Sequence, residues 1–244
     1  MISLNRLTKR FGNISAVNDL NLSVTAGEIF GFIGPNGAGK TTTIRMMGGI
    51  LQPTSGVVTI CGIPMHTQPE KAKQKIGFIP DRPYLYEKLT GMEFLGFTAD
   101  LYDVDRSKFP KKAETLLEMF SLRDWASELI ESYSHGMRQR LIMAAALLHD
   151  PEVIIVDEPM VGLDPAGIKM VKELLKHLAR KGVTVFMSTH TLTVAEDVCD
   201  RIGIIYGGSL VASGTTEMLR QKARLSDADL EGIFIKLTSE NNDG

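Results

Sequence analysis

The sequence predicts an α/β fold whose ligand sits at the ends of buried strands, and three stretches carry the prediction. The apolar run Ile29-Phe30-Gly31-Phe32-Ile33 leads into Gly34-Pro35-Asn36-Gly37-Ala38-Gly39-Lys40-Thr41 and then into helix-forming residues. A second run, Val153-Ile154-Ile155-Val156, ends in Asp157-Glu158-Pro159, and a third, Val183 to Met187, ends in Ser188-Thr189-His190. Short, wholly apolar runs bounded by turn residues suit strands buried on both faces, and open α/β sheets bind ligands at the carboxyl ends of such strands.

Composition narrows the function classes. With 244 residues, 43% hydrophobic and 23% charged, the chain can bury a sizeable core. A net charge of −2 gives no global attraction for nucleic acid, and Lys71, Lys73 and Lys75 read as one solvated helix face. Cys61 and Cys199 show neither metal-ligand nor redox spacing, which suits a reducing, cytoplasmic setting. The longest apolar stretch, Leu141 to Leu148, is far short of the roughly 20 residues that cross a bilayer. Any membrane role is then expected to run through a partner.

In chain order, Ile2 to Leu7 and Val17 to Val24 alternate apolar with polar residues, which predicts two antiparallel strands joined at Phe11-Gly12-Asn13. Phe11 at the tip either strays into solvent or stacks on a base. In Gly34 to Thr41 the glycines let successive N–H groups face phosphate oxygens, Lys40 can reach the β and γ phosphates, and the Thr41 hydroxyl can ligate Mg²⁺. The helix from Lys40 to Ile50 adds the partial charge of its N-terminus. Pro53-Thr54-Ser55-Gly56 breaks it, a strand follows over Val57 to Ile60, and Gly62-Ile63-Pro64 reads as a turn. The apolar run Ile76 to Ile79 delivers Asp81, either a site residue or a turn former before Arg82-Pro83.

From Thr90 the periodicity turns helical. Thr90-Gly91-Met92-Glu93 is a capping box, and Leu95, Thr98, Ala99 and Tyr102 share one face. A second helix over Ser107 to Phe120 and the segment Leu122 to Ile130 complete a helix-rich lobe, with Met92, Phe94, Phe97 and Met119 expected in its core. In Tyr133-Ser134-His135-Gly136-Met137-Arg138-Gln139-Arg140, Ser134 caps the helix that runs through Leu141 to Leu148, and Gly136 leaves N–H groups uncovered: a plain cap or a second anion site.

Adjacent carboxylates at the end of a buried strand are costly unless metal or solvent meets them, so Asp157 reads as a Mg²⁺ ligand and Glu158 as acceptor of a proton from attacking water. Asp164-Pro165 starts a helix that runs to Arg180 and stops at Gly182. His190, ending a strand parallel to that of Asp157, is assigned a catalytic or sensing role. Thr193-Val194-Ala195-Glu196 opens a further helix. Ile202 to Ile205 and Leu210 to Ala212 make a hairpin across Tyr206-Gly207-Gly208-Ser209. Leu230, Ile233, Phe234, Ile235 and Leu237 can dock a short helix in an otherwise polar tail, with Asn241 to Gly244 disordered.

This ordered series resembles the nucleotide-binding subunit of ATP-binding cassette (ABC) transporters over residues 1–221. Phe11 matches the adenine-stacking aromatic, Gly34 to Thr41 Walker A, Tyr133 to Arg140 the signature, Val153 to Asp157 Walker B with Glu158 as catalytic glutamate, Gly162-Leu163-Asp164-Pro165 the D-loop and His190 the switch histidine. The resemblance implies a P-loop NTPase core with mixed sheet, an antiparallel β subdomain and a helical signature subdomain near residues 90–149, with residues 222–244 a C-terminal extension. It implies ATP and Mg²⁺ held by Phe11, Val17, Asn36, Gly37, Ala38, Gly39, Lys40, Thr41 and Thr42, with Thr41, Asp157 and Asp81 on the metal and Glu158, His190 and Asp81 in the chemistry. It also implies a head-to-tail dimer in which Ser134, Gly136 and Asp164 meet the nucleotide of the other copy. The dimer would energise a transmembrane permease, from the inner face of the membrane, in the branch resembling multidrug and antibiotic exporters.

Two positions depart from the family pattern. Asp81 stands where Gln is usual, which predicts an altered or water-mediated Mg²⁺ contact. His135 stands where Gly is common: either a solvent-facing residue or one whose protonation beside a phosphate tightens the dimer at mildly acidic pH. A nucleotide-gated module with low turnover and a soluble protein acting on ribosomes or DNA are the alternative readings.

Overall fold

The computed structural model describes residues 1–82, 84–225 and 228–239; the expectations for Pro83 and for Asn241 to Gly244 lie outside the described residues. The chain opens with a hairpin, β1 (Ile2–Phe11) and β2 (Ile14–Val24), longer than the alternation alone predicts. Phe11 pairs with Ile14, and Gly12 at φ +55° makes the two-residue turn possible. Next come β3 (Ile29–Ile33), α1 (Lys40–Met47) and β4 (Ser55–Ile60), followed by β5 (Ile63–Pro64), a two-residue strand where a turn is expected. A short α2 (Pro69–Lys73), not expected from periodicity, leads to β6 (Ile76–Ile79).

The helical segment holds α3 (Gly91–Leu101), α4 (Phe109–Met119) and α5 (His135–Leu147). Both halves of the Thr90–Glu93 capping box form. Phe94 is buried, but Met92, Phe97 and Met119 are 36%, 41% and 46% exposed, which corrects the expectation that they are core. The helical turn explains it, since the buried stripe of α3 runs through Phe94, Leu95, Thr98 and Ala99 and leaves residues 92 and 97 on its flank. Leu122 to Ile130 is not a helix: single turns at Arg123–Trp125 and Ile130–Ser132 bracket it.

The remainder is β7 (Val153–Asp157), α6 (Pro165–Arg180), β8 (Thr184–Thr189), α7 (Leu192–Val198), β9 (Arg201–Tyr206), β10 (Ser209–Gly214), α8 (Thr216–Ala223) and α9 (Leu230–Ser239). Helix α7 starts after Thr191, earlier than expected, and α8 was hidden in a polar stretch that Thr215 caps through the Met218 N–H. In α9, Leu230, Ile233 and Leu237 are buried while Ile235 is exposed.

Among the described residues the strands form two sheets. One is antiparallel, in the order β2-β1-β4-β5; the other runs β10-β9-β3-β8-β7-β6, parallel except for the β9–β10 hairpin. Inward residues of the antiparallel sheet, such as Leu4, Leu7 and Leu22, share a core with Phe30, Phe32, Ile44 and Phe186. Phe186 stacks on Phe30 at 5.6 Å and tilts against Phe32 at 5.4 Å, so the centre of the parallel sheet is clamped by aromatic contact.

Gly31, in the middle of β3, has no room for a side chain: a Cβ there would lie 2.6 Å from Cys199 Sγ. Burial pushes the Cys199 thiol up to about 12, so it acts as packing and not as a nucleophile. Gly31→Ala is expected to destabilise the chain by about 1–3 kcal/mol through overpacking. Cys199→Ala in the same chain should recover most of that loss in urea denaturation, and strictly additive effects would show that the clash is relieved elsewhere.

Candidate nucleotide site

The parallel register brings distant residues to one edge. Ile33 stands opposite Thr189, Asp157 opposite Ser188, and Ile79 opposite Val156. Gly34, His190, Glu158 and Asp81 therefore lie at or just past the same ends of four neighbouring strands.

The loop after β3 is shaped by backbone that only glycine adopts cheaply. Gly37 and Gly39 have φ of +79° and +106°. A Cβ on Gly39 would come within 2.4 Å of the Ala16 carbonyl oxygen, whereas one on Gly37 would meet nothing within 4 Å. The loop is thus wedged against β2 at Gly39 and open at Gly37. Lys40, 7% exposed, donates from Nζ to the carbonyls of Gly34 at 2.7 Å and Pro35 at 3.1 Å. Burial lowers its pKa, opposed by the negative charges of Glu158 and Asp157.

Across the loop, Asp157 is 3% exposed and accepts a hydrogen bond from the Ser188 hydroxyl. Glu158 sits at φ +50°, a left-handed conformation that costs a non-glycine residue about 1–2 kcal/mol, with its N–H bonded to the Ser188 carbonyl at 3.1 Å. The strain turns its side chain toward His190, whose Nδ1 lies 2.8 Å from Oε1. With the carboxylate oxygen as acceptor, Nδ1 donates this hydrogen bond and Nε2 is the other edge of the ring.

These groups line one open pocket of about 370 Å³. Of the residues named from sequence, Asn36, Gly37, Gly39, Lys40, Thr41, Thr42, Asp81, Asp157, Glu158 and His190 face it. Ala38 is buried within the loop and Val17 beneath it, and Phe11, 49% exposed with Lys9 Nζ 5.1 Å from its ring centroid, does not line the pocket. Ala16 and Val161 do line it and were missed, as was Ser188, the hydroxyl on Asp157. Strand register could have found Ser188, because it pairs with Asp157 directly.

The donor set fits Mg²⁺. Among the described residues no three His, Cys, Asp or Glu side chains converge closely enough to hold a metal by themselves. Thr41, Asp81 and Asp157 instead bring hard oxygens to one pocket, and Mg²⁺ commonly completes its shell with waters and substrate phosphates.

Ser134, Gly136 and Asp164 are not brought to this pocket. They line a second one, of about 560 Å³, with Gly162, Leu163 and Arg140. Two helix N-termini meet there: Ser134 Oγ accepts from the Met137 N–H at 3.3 Å, and Asp164 Oδ1 from the Gly167 N–H at 2.8 Å. Among the described residues Arg140 donates only to the carbonyls of Gly136 and Phe120, and no carboxylate pairs its charge. The exposed His135 lays its ring on Gly162, where a Cβ would be 2.4 Å from Cδ2.

Comparisons with known proteins give the family and the fold. Residues 17–161 match the model of the family described as ABC transporter. The linearmycin resistance ATP-binding protein LnrL of Bacillus subtilis is 40% identical over 215 residues, covering 88% of this chain and 69% of that protein. The probable multidrug ABC transporter ATP-binding protein YbhF of Escherichia coli is 38% identical over 240 residues, covering 97% of this chain but only 41% of that protein, so the chain spans about two fifths of that relative. A solved dimer of the ATP-binding cassette MJ0796, in a post-hydrolysis state bound to ADP and Pi, superimposes with a TM-score of 0.80 at 29% identity over 88% of this chain and 98% of that one.

The strain at Glu158 is measurable. Glu158→Gly is expected to raise the unfolding free energy of the nucleotide-free protein by about 1 kcal/mol, by removing the left-handed penalty. Equilibrium denaturation checks this; a destabilised variant would mean that the His190 bond outweighs the strain.

Proposed function

This chain belongs to the ABC transporter family as an ATP-binding, ATP-hydrolysing subunit, and from that premise we propose that it powers a separate transmembrane permease, in the direction of export. The observation that carries the reading is the division of the polar groups between two pockets, with Lys40, Asp157, Glu158 and His190 in one and Ser134, Gly136 and Asp164 in the other. A monomer then holds two half-sites. A head-to-tail second copy would place the two helix N-termini and Arg140 of one chain against the phosphate loop of the other, where aligned N–H groups favour an anion.

Within each composite site Lys40 neutralises phosphate charge once it leaves its loop carbonyls, and Asn36 and Thr42 line the phosphate side. Thr41, Asp157 and Asp81, directly or through water, would hold Mg²⁺, which would neutralise charge on the phosphate oxygens. Glu158 takes the proton of the attacking water, and His190 holds its carboxylate in place through Nδ1. Val17 supports the loop from beneath, and Ala38 packs within it. Phe11 meets the adenine at the rim. His135 braces the second pocket against Gly162.

The permease reading draws support from the surface beside Asp81. Tyr84, Tyr86 and Phe97, in mutual edge contact at 6.0 and 5.3 Å, are 82%, 48% and 41% exposed. Such an aromatic patch marks a protein interface, and among the described residues no helix is long and apolar enough to cross a membrane. An aromatic face that follows Asp81 in the chain would bring ATP-dependent closure to a membrane partner at the inner leaflet. Relatives concerned with linearmycin resistance and multidrug transport point to export.

Two measurements test the proposal. Lys40→Ala and Ser134→Arg each break a different half of the site, so each should be inactive alone, and an equimolar mixture should regain ATP turnover because one interface of the mixed dimer is intact. A mixture that stays inactive would rule out the head-to-tail arrangement. Asp81→Gln removes an anion from a pocket that already holds Asp157 and Glu158, and should raise the Mg²⁺ concentration needed for half-maximal turnover. Unchanged Mg²⁺ dependence and unchanged stimulation by the permease would remove Asp81 from the site.

A further inference from the structure

A third concavity, remote from the phosphate loop, has the chemistry of a ligand site. It runs between α4 and the second half of α6, with a floor of Leu116, Leu147, Leu174, Leu178 and Val183 and a volume of about 660 Å³. Its charge is one-sided. Lys108, Lys111, Lys112 and Lys181 border it against the single carboxylate of Asp150, which Lys112 already pairs. The ammonium groups of Lys111 and Lys181 have no hydrogen-bond or ion-pair partner among the described residues. Lys108 approaches Asp105 at 4.0 Å, so in a chain of net charge −2 the local excess of positive charge rests on Lys111 and Lys181.

The groove is also polarised along its length. The lysines gather at the start of α4 and the end of α6, beside Asp150 and Val183 at the amino ends of the parallel strands. The other end is apolar and closes on Met119, which also lines the pocket of Ser134 and Asp164. An anionic head at the lysine end and a hydrocarbon tail over the leucines would satisfy both halves together.

We propose that this groove binds a single-chain anionic amphiphile, a long-chain fatty carboxylate, one per protein chain. The lengthwise polarity decides against the other occupant, an acidic amphipathic helix, whose charges run along its whole length and would not gather at the lysine end. The volume falls within the range of roughly 300 to 1,000 Å³ of sites for small ligands.

The test uses the full chain without nucleotide and measures binding of tetradecanoate below its micellar concentration by titration calorimetry. One saturable site is expected, with affinity falling about fourfold for each methylene removed from the probe. The neutral tetradecanol should bind at least tenfold more weakly. Lys111→Glu/Lys181→Glu reverses two exposed, unpartnered charges without touching the core, and should weaken tetradecanoate at least tenfold while circular dichroism and ATP turnover stay at wild-type values. Absence of saturable binding, equal binding of tetradecanol, or an affinity indifferent to the double reversal would each overturn the assignment. Binding of an acidic helical peptide with no binding of tetradecanoate would do so too.

Discussion

Parallel strand register is the constraint on which the rest of this structure depends. Asp157 opposite Ser188 and Ile33 opposite Thr189 set the heights of the phosphate loop, the acidic pair and the histidine relative to one another. A slip of one residue in any of these strands would turn its apolar set over and move its terminal group by about 3.3 Å. Both faces of the sheet are covered, so such a slip would exchange side chains of different size between two close-packed cores and shift a polar terminal group along the strand. The same apolar packing that stabilises the sheet therefore holds the site.

Held in that frame, the polar groups are arranged at a cost to the fold. Asp157 is almost wholly buried, Lys40 loses solvation, and Glu158 is kept in a left-handed backbone conformation. Each is partly offset by a neighbour: the Ser188 hydroxyl on Asp157, the loop carbonyls on Lys40, and the His190 ring on Glu158. Local strain and buried charge concentrated around one pocket, in a chain whose other ion pairs are mostly at the surface, mark where stability has been given up for chemistry. A phosphate-bearing ligand and a divalent cation would complete both sets of charges.

The helical segment answers to a different constraint. Helices α3 and α4 bury one stripe each and leave Met92, Phe97 and Met119 outside, so the lobe has more apolar surface than its own core uses. Around it lie three features: the aromatic patch beside Asp81, the pocket at the N-termini of α5 and α6, and the groove along α4. The last two share Met119 as a wall. Whatever displaces that side chain is felt on both sides of it, because close-packed side chains pass on small displacements.

Local patterns in the sequence determined the phosphate loop, the buried strands, the capping box of α3, the Asp164 cap of α6 and the acidic pair, because spacing, glycine and capping chemistry act over a few residues. The ordered motifs also identified the family. Tertiary structure alone decided what depends on residues far apart in the chain. It showed that the Glu158 side chain reaches His190, that Ser188 serves Asp157, that Ala16 faces the pocket while Val17 lies beneath the loop, and that Ser134 and Asp164 share a pocket apart from Lys40. It also decided the flank positions of Met92, Phe97 and Met119, since a hydrophobic side chain carries no mark of which helix face will find a neighbour. Side-chain chemistry is written in the residues, but direction and partnership come from strand register and helix phase, which only the assembled sheets and helices set.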